Sequence, residues 1–143
     1  LIDCHPDFGT ITKNMVTVSD FVISPIEAGD FSYASISNLE VRFERFKNTL
    51  VNPMNTSESY VTANLKFIGS KIKHNTRLAR EFRESFLKEE NALDLIFPEK
   101  ELVNIGNASK TPLVEMAENK ALYNEHRKFF NLTEEFFTKL AEL

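Results

Sequence analysis

Residues 21–50, FVISPIEAGDFSYASISNLEVRFERFKNTL, contain two different hydrophobic periods side by side. Phe21-Val22-Ile23-Ser24-Pro25-Ile26 is a short β-branched run, and Pro25, which has no N–H to give a ladder, must sit at its end. Beyond it Ile36, Leu39, Phe43, Phe46 and Leu50 recur at alternating steps of three and four residues, with Glu40, Arg42, Glu44, Arg45 and Lys47 between them. That spacing predicts an amphipathic helix ending before Asn52-Pro53. A coiled-coil seam is the other reading of the stripe. The heptads stop too soon for one, so a helix covering a sheet is preferred.

The same alternation extends outward. Residues 9–18 have helix-compatible spacing, and residues 52–59 read as a polar loop. Residues 61–72 contain a strand centred on Leu65, Phe67 and Ile68, ending at the polar Lys73-His74-Asn75. Leu78, Phe82 and Phe86 mark a helix, and residues 92–97 a short buried strand closed by Pro98. A loop with Gly106 and Pro112 leads into a helical tail, about residues 115–143, with a break near Asn131. At the other end Leu1-Ile2 reads as the last piece of an apolar strand running into Asp3 and the turn-rich Cys4-His5-Pro6-Asp7. Two residues are too few for a strand, so more of it is expected upstream. Strands too apolar to face water, alternating with helices, predict one α/β domain over residues 1–143: a mostly parallel sheet with helices on both faces.

The 143 residues are 42% hydrophobic and 27% charged, which excludes disorder as the main state, and 13 Phe supply large side chains for a core. Seventeen basic against 21 acidic residues give −4, so the whole surface is not built to coat nucleic acid or anionic membrane, although a local basic patch is allowed. No run approaches the roughly 18 apolar residues of a membrane span, and no basic-then-apolar leader opens the chain. The single cysteine, Cys4, and the scattered His5, His74 and His126 offer neither a disulfide nor a local metal cluster, and a reducing cytoplasm is expected. The N-x-S/T triplets at Asn55, Asn107 and Asn131 are read as chance. Four glycines and no repeats leave little room for linkers.

Ligands in α/β sheets gather at the carboxyl ends of strands, and Asp3 stands where NTPases place the carboxylate that holds Mg²⁺. A turn-forming or capping aspartate is the plainer reading. Residues 1–26, LIDCHPDFGTITKNMVTVSDFVISPI, resemble the Walker B region of the ParA/MinD family of partitioning ATPases. There an apolar strand ends in D-x-x-P, a helix carries T-x-N, and a D-x-x-x-x-P strand follows. Asp3, Pro6, Thr12, Asn14, Asp20 and Pro25 fall on those positions without a gap. Asn75-Thr76-Arg77-Leu78-Ala79-Arg80-Glu81 is similar to the family's R-T-N-L-S-x-E segment, and Phe97-Pro98 and Thr111-Pro112 match its I-P and K-P landmarks. The likeness runs to about Leu113, and the tail beyond is longer than usual.

The resemblance implies a three-layer P-loop NTPase-like fold, incomplete here, with ATP and Mg²⁺ as cofactors. Asp3 looks like the Walker B carboxylate that positions the metal, Pro6 and Asp7 like the switch segment that senses the γ-phosphate, and Ser70 and Pro98 like lining of the adenine pocket. It further implies a homodimer formed around nucleotide, a ParB-like partner protein and nonspecific DNA association, in plasmid or chromosome partitioning. The family's glycine-rich phosphate loop, however, has no counterpart here. Without its amides and lysines the chain alone should not hydrolyse ATP, so it is expected to be the C-terminal part of a longer protein.

A basic stretch, Lys66, Lys71, Lys73, Arg77, Arg80 and Arg83 against Glu81, puts three arginines on the outer face of a helix, opposite Leu78, Phe82 and Phe86. In the family such arginines hold DNA phosphates, although the segment that should be basic after I-P is here Glu99-Lys100-Glu101-Leu102. A solvated face is the other reading. Residues 133–143 carry three Glu and one Lys, which is no MinD-like membrane tail. Cys4 beside His5 is read as structural, since neighbours on a strand point to opposite faces. The alternative function is a non-catalytic α/β dimerisation or partner-docking module.

Overall fold

A computed structural model describes residues 1–4, 8–29 and 32–143. The chain runs α1 (Thr10–Thr17), β1 (Phe21–Ile26), α2 (Ser32–Thr49), β2 (Val51–Asn52), β3 (Asn55–Ser59), β4 (Asn64–Ile72), α3 (Arg77–Phe86), β5 (Ala92–Pro98), α4 (Glu101–Ser109), α5 (Leu113–Glu118) and α6 (Lys120–Glu142). Among the described residues β1, β4 and β5 form one parallel sheet in the order β1-β4-β5. The architecture is α/β, as the alternating periods predict.

The periods explain the core. On α2 Ile36, Phe43 and Phe46 are buried against Leu65 and Phe67 of β4, so the stripe covers a sheet. Ala79, Phe82 and Phe86 of α3 join the same cluster, with Phe82 and Phe86 stacked at 5.0 Å between ring centres. Leu78, expected to face inward, is exposed, because the buried row of α3 runs through Ala79, one residue further on. A second cluster gathers Leu102 of α4, Met116 of α5, and Phe129 and Phe130 of α6. Ile96 packs on the first cluster and its neighbour Phe97 on the second, as adjacent strand residues that point to opposite faces must. Gly69 lets β4 and β5 close: a Cβ there would stand 3.0 Å from Ile96 Cγ1 and 3.3 Å from its Cα.

Four further expectations need correction. Residues 52–59 are not a plain loop but lie in an antiparallel β2–β3 hairpin. Its residues are mostly solvated, so no apolar alternation betrays it, and it is held by polar contacts. Asn52 Oδ1 accepts from the Met54 amide at 3.0 Å, and Ser59 Oγ donates to Lys47 O at 2.7 Å, tying the hairpin to the end of α2. Gly106 lies inside α4, where its missing Cβ leaves room for Thr111 O and Met116 Sδ, 3.1 and 3.2 Å from where that atom would be. The helical tail begins at Leu113, restarts at the Asn119 cap, and departs from helical geometry at His126 rather than near Asn131. Asn131 is instead held within α6 by the Tyr123 hydroxyl at 3.1 Å. Residues 1–4 are exposed and carry no strand: without a paired neighbour among the described residues, Leu1-Ile2 has no ladder to join.

Candidate functional site

The carboxyl edge of the parallel sheet is where this fold presents polar groups on rigid strand ends. Gly69 pairs with Ile96 and Ile72 with Pro98, so β4 spends one more residue than β5 over this step. The extra residue makes a bulge, and Lys71 within it adopts φ 51, left-handed for a non-glycine. Ser70 and Pro98, the two expected adenine-side residues, are thereby brought to the same end of adjacent strands, both half-buried.

The bulge also aims Lys71 across the edge. Its Nζ lies 2.9 Å from Glu27 Oε1, just past the end of β1. The hydrogen bond that Lys71 donates to Glu27, then the Glu27 charge, hold the Lys71 ammonium above its ordinary pKa; burial opposes them, and the Glu99 charge adds a lesser rise. The Glu99 amide donates to Ile72 O at 3.1 Å, which fixes the turn after β5 beside this pair. Lys71 and Glu27 are a part of the edge that sequence reasoning missed. In the sequence Lys71 is one charge in a basic stretch, and nothing in a linear pattern announces a bulge.

Asp3 lies in the unpaired, exposed segment of residues 1–4 and is not placed at the end of a strand. Pro6 and Asp7 lie outside the described residues. Among the described residues no group of three His, Cys, Asp or Glu side chains is arranged to hold a metal ion. A Mg²⁺ that takes one carboxylate and otherwise water and phosphate oxygens needs no such group, and the hard oxygens of Asp3 suit it chemically.

The basic helix is present as expected, with Arg77, Arg80 and Arg83 exposed on α3. Thr76 caps it, its Oγ1 accepting from the Ala79 amide at 3.1 Å. Arg77 Nε sits 2.7 Å from Glu81 Oε1, whose hydrogen bond and charge raise the guanidinium pKa further. Glu84 stands on the same helix, so three arginines face two glutamates within α3.

At the opposite, amino edge of the sheet a groove of about 350 Å³ opens between α2 and β4. Glu40 and Glu44 line it with Lys47 and Lys66, opposite charges in equal number, and Asn91 Nδ2 donates to Glu40 Oε1 at 3.0 Å. Compared with known proteins, the sequence matches no family model, and no curated protein matches it significantly.

Proposed function

We propose that this chain is the carboxyl-terminal part of a ParA-like partitioning ATPase, a three-layer P-loop NTPase-like fold that works in the cytoplasm as a nucleotide-dependent homodimer with a ParB-like partner. The observation that carries the reading is that Ser70 and Pro98 lie at the same carboxyl end of adjacent parallel strands. They stand far apart in the sequence, yet share the edge at which the resemblance expects adenine. There the Ser70 hydroxyl offers a donor and acceptor, and the Pro98 ring an apolar wall for a flat base. Asp3 contributes a carboxylate suited to Mg²⁺, which when bound with ATP supplies charge neutralisation at the phosphates. The outer face of α3 contributes sequence-independent contacts to DNA phosphates.

A second reading, a non-catalytic α/β dimerisation or docking module, draws on the unpaired position of residues 1–4, which leaves Asp3 without a strand to aim it. One experiment separates the two. In a full-length protein carrying a glycine-rich phosphate loop, Asp3→Asn is expected to bring Mg²⁺-dependent ATP hydrolysis down to background with the fold intact, because the amide is isosteric but a poor Mg²⁺ ligand. Hydrolysis at the unsubstituted rate would leave Asp3 a turn residue, whereas an unsubstituted full-length protein with no Mg²⁺-dependent hydrolysis would favour the docking module. The 143-residue chain by itself is expected to show no turnover.

A further inference from the structure

A wider groove, about 750 Å³, lies between α1 and the carboxyl half of α2. Arg42, Arg45 and Thr49 line it from α2, at the three- and four-residue steps that share one helix face, and Lys13 lines it from α1. Phe8 and Phe46 form its apolar wall, edge to face with 5.7 Å between ring centres. Lys13 Nζ lies 6.0 Å from the centre of the Phe8 ring and 5.8 Å from that of Phe46, so the aromatic pair holds the ammonium over the groove.

What sets this groove apart is its charge. Among the described residues no carboxylate lines it, and Lys13, Arg42 and Arg45 make no ion pair there. The groove at the amino edge balances two carboxylates against two ammoniums, and Arg77 of α3 is neutralised by its own helix. In a chain with net charge −4, three cations brought together with no counter-charge among the described residues repel one another unless an anion joins them. Two guanidiniums one helical turn apart present forked donors that match phosphate oxygens, and the ammonium adds a third contact. The first turn of α1 opens on the same groove at Gly9, with no side-chain cap and no acidic residue. The groove is open to solvent, and its aromatic pair leaves a short wall rather than a long track.

We propose that the α1–α2 groove is a binding site for a small phosphate-bearing anion, with Arg42, Arg45 and Lys13 as its ligands and Phe8 and Phe46 beside any ring the ligand carries. The site is distinct from the carboxyl edge and does not depend on the ATPase reading. Inorganic phosphate, pyrophosphate and phenyl phosphate, titrated into the chain at constant ionic strength and followed by amide NMR, provide the test. Saturable shifts at Gly9, Lys13, Arg42, Arg45 and Thr49 are expected. Arg42→Glu with Arg45→Glu should raise Kd at least about tenfold, while the charge-matched pair Arg127→Glu and Lys128→Glu, exposed on α6, should leave it within about twofold. Arg42→Gln with Arg45→Gln repeats the loss if the reversed pair perturbs the fold. Tighter binding of phenyl phosphate than of inorganic phosphate would identify an ester as the ligand, and equal binding the free anion. Failure to saturate, or equal losses from the two charge reversals, would overturn the site. So would tighter binding of a DNA duplex than of pyrophosphate through the same residues, which would make the groove a polyanion surface.

Discussion

Two trios of cations stand on this molecule, and they differ in who balances them. Arg77, Arg80 and Arg83 follow one another along α3, where Glu81 and Glu84 offset them and Glu81 grips Arg77 directly. Lys13, Arg42 and Arg45 come from two helices, meet only in the folded chain, and have no carboxylate beside them among the described residues. A charge run on one helix can be solvated and balanced locally, at no cost to the fold. Charges that tertiary structure collects without counter-charge work against folding unless something outside the chain answers them. The less visible trio therefore makes the stronger case for a ligand.

The comparison assumes one core beneath both trios, since Phe86 of α3 and Phe46 at the groove belong to the same buried cluster. Phe86 is fully buried, so Phe86→Ala is expected to cost about 3–5 kcal/mol. In urea, amides of α3 and of the α1–α2 groove should still unfold in one transition, and two separate midpoints would break the assumption. A smaller effect sharpens the contrast within α3. For DNA binding by a full-length protein, Arg80→Glu with Arg83→Glu should lower the slope of log affinity against log salt by about 1.8, two phosphates' worth. Arg77→Glu should lower it less, because Arg77 already spends its charge on Glu81. An equal loss from Arg77 would show that its ion pair opens on DNA. The smallest effect concerns the ion pair at the carboxyl edge. Glu27→Gln should return the Lys71 pKa toward its ordinary value in an NMR titration, since Glu27 is the chief cause of the rise. With a folded-state pKa raised above the unfolded one, the pair's contribution is present below the ordinary lysine value and fades as pH climbs through the raised one. An unchanged Lys71 titration would transfer that role to Glu99.

Strong apolar periods make β1, α2, β4, α3 and β5 legible in the sequence, because burial imposes those periods. The β2–β3 hairpin escaped because it is mostly solvated: Asn52 and Ser59 hold it by hydrogen bonds that leave no stripe. Gly106 read as a loop residue because glycine punctuates chains far more often than it eases two helices together, as it does for α4 and α5. Of the candidate site, Ser70 and Pro98 were found through resemblance and share an edge, while Asp3 sits apart in residues 1–4. The Lys71 bulge and the groove at Lys13, Arg42 and Arg45 were invisible for one reason: both are made by register and packing between distant segments.

Pro25 has a stereochemical consequence for how the sheet can grow. The Asp20 carbonyl accepts from the Asn64 amide, so the backbone groups of Asp20 point toward β4, and those of every second residue after it do likewise. Phe21, Ile23 and Pro25 then direct their backbone groups to the other side, where β1 has no neighbour among the described residues. Proline brings no hydrogen to that side. A strand added there finds donors at Phe21 and Ile23 and meets a blank at the third position, so its ladder ends short of the carboxyl edge. The open side of β1 is in this way a template of limited length, able to accept one short parallel segment and ill suited to the extended, repetitive pairing that leads to aggregation.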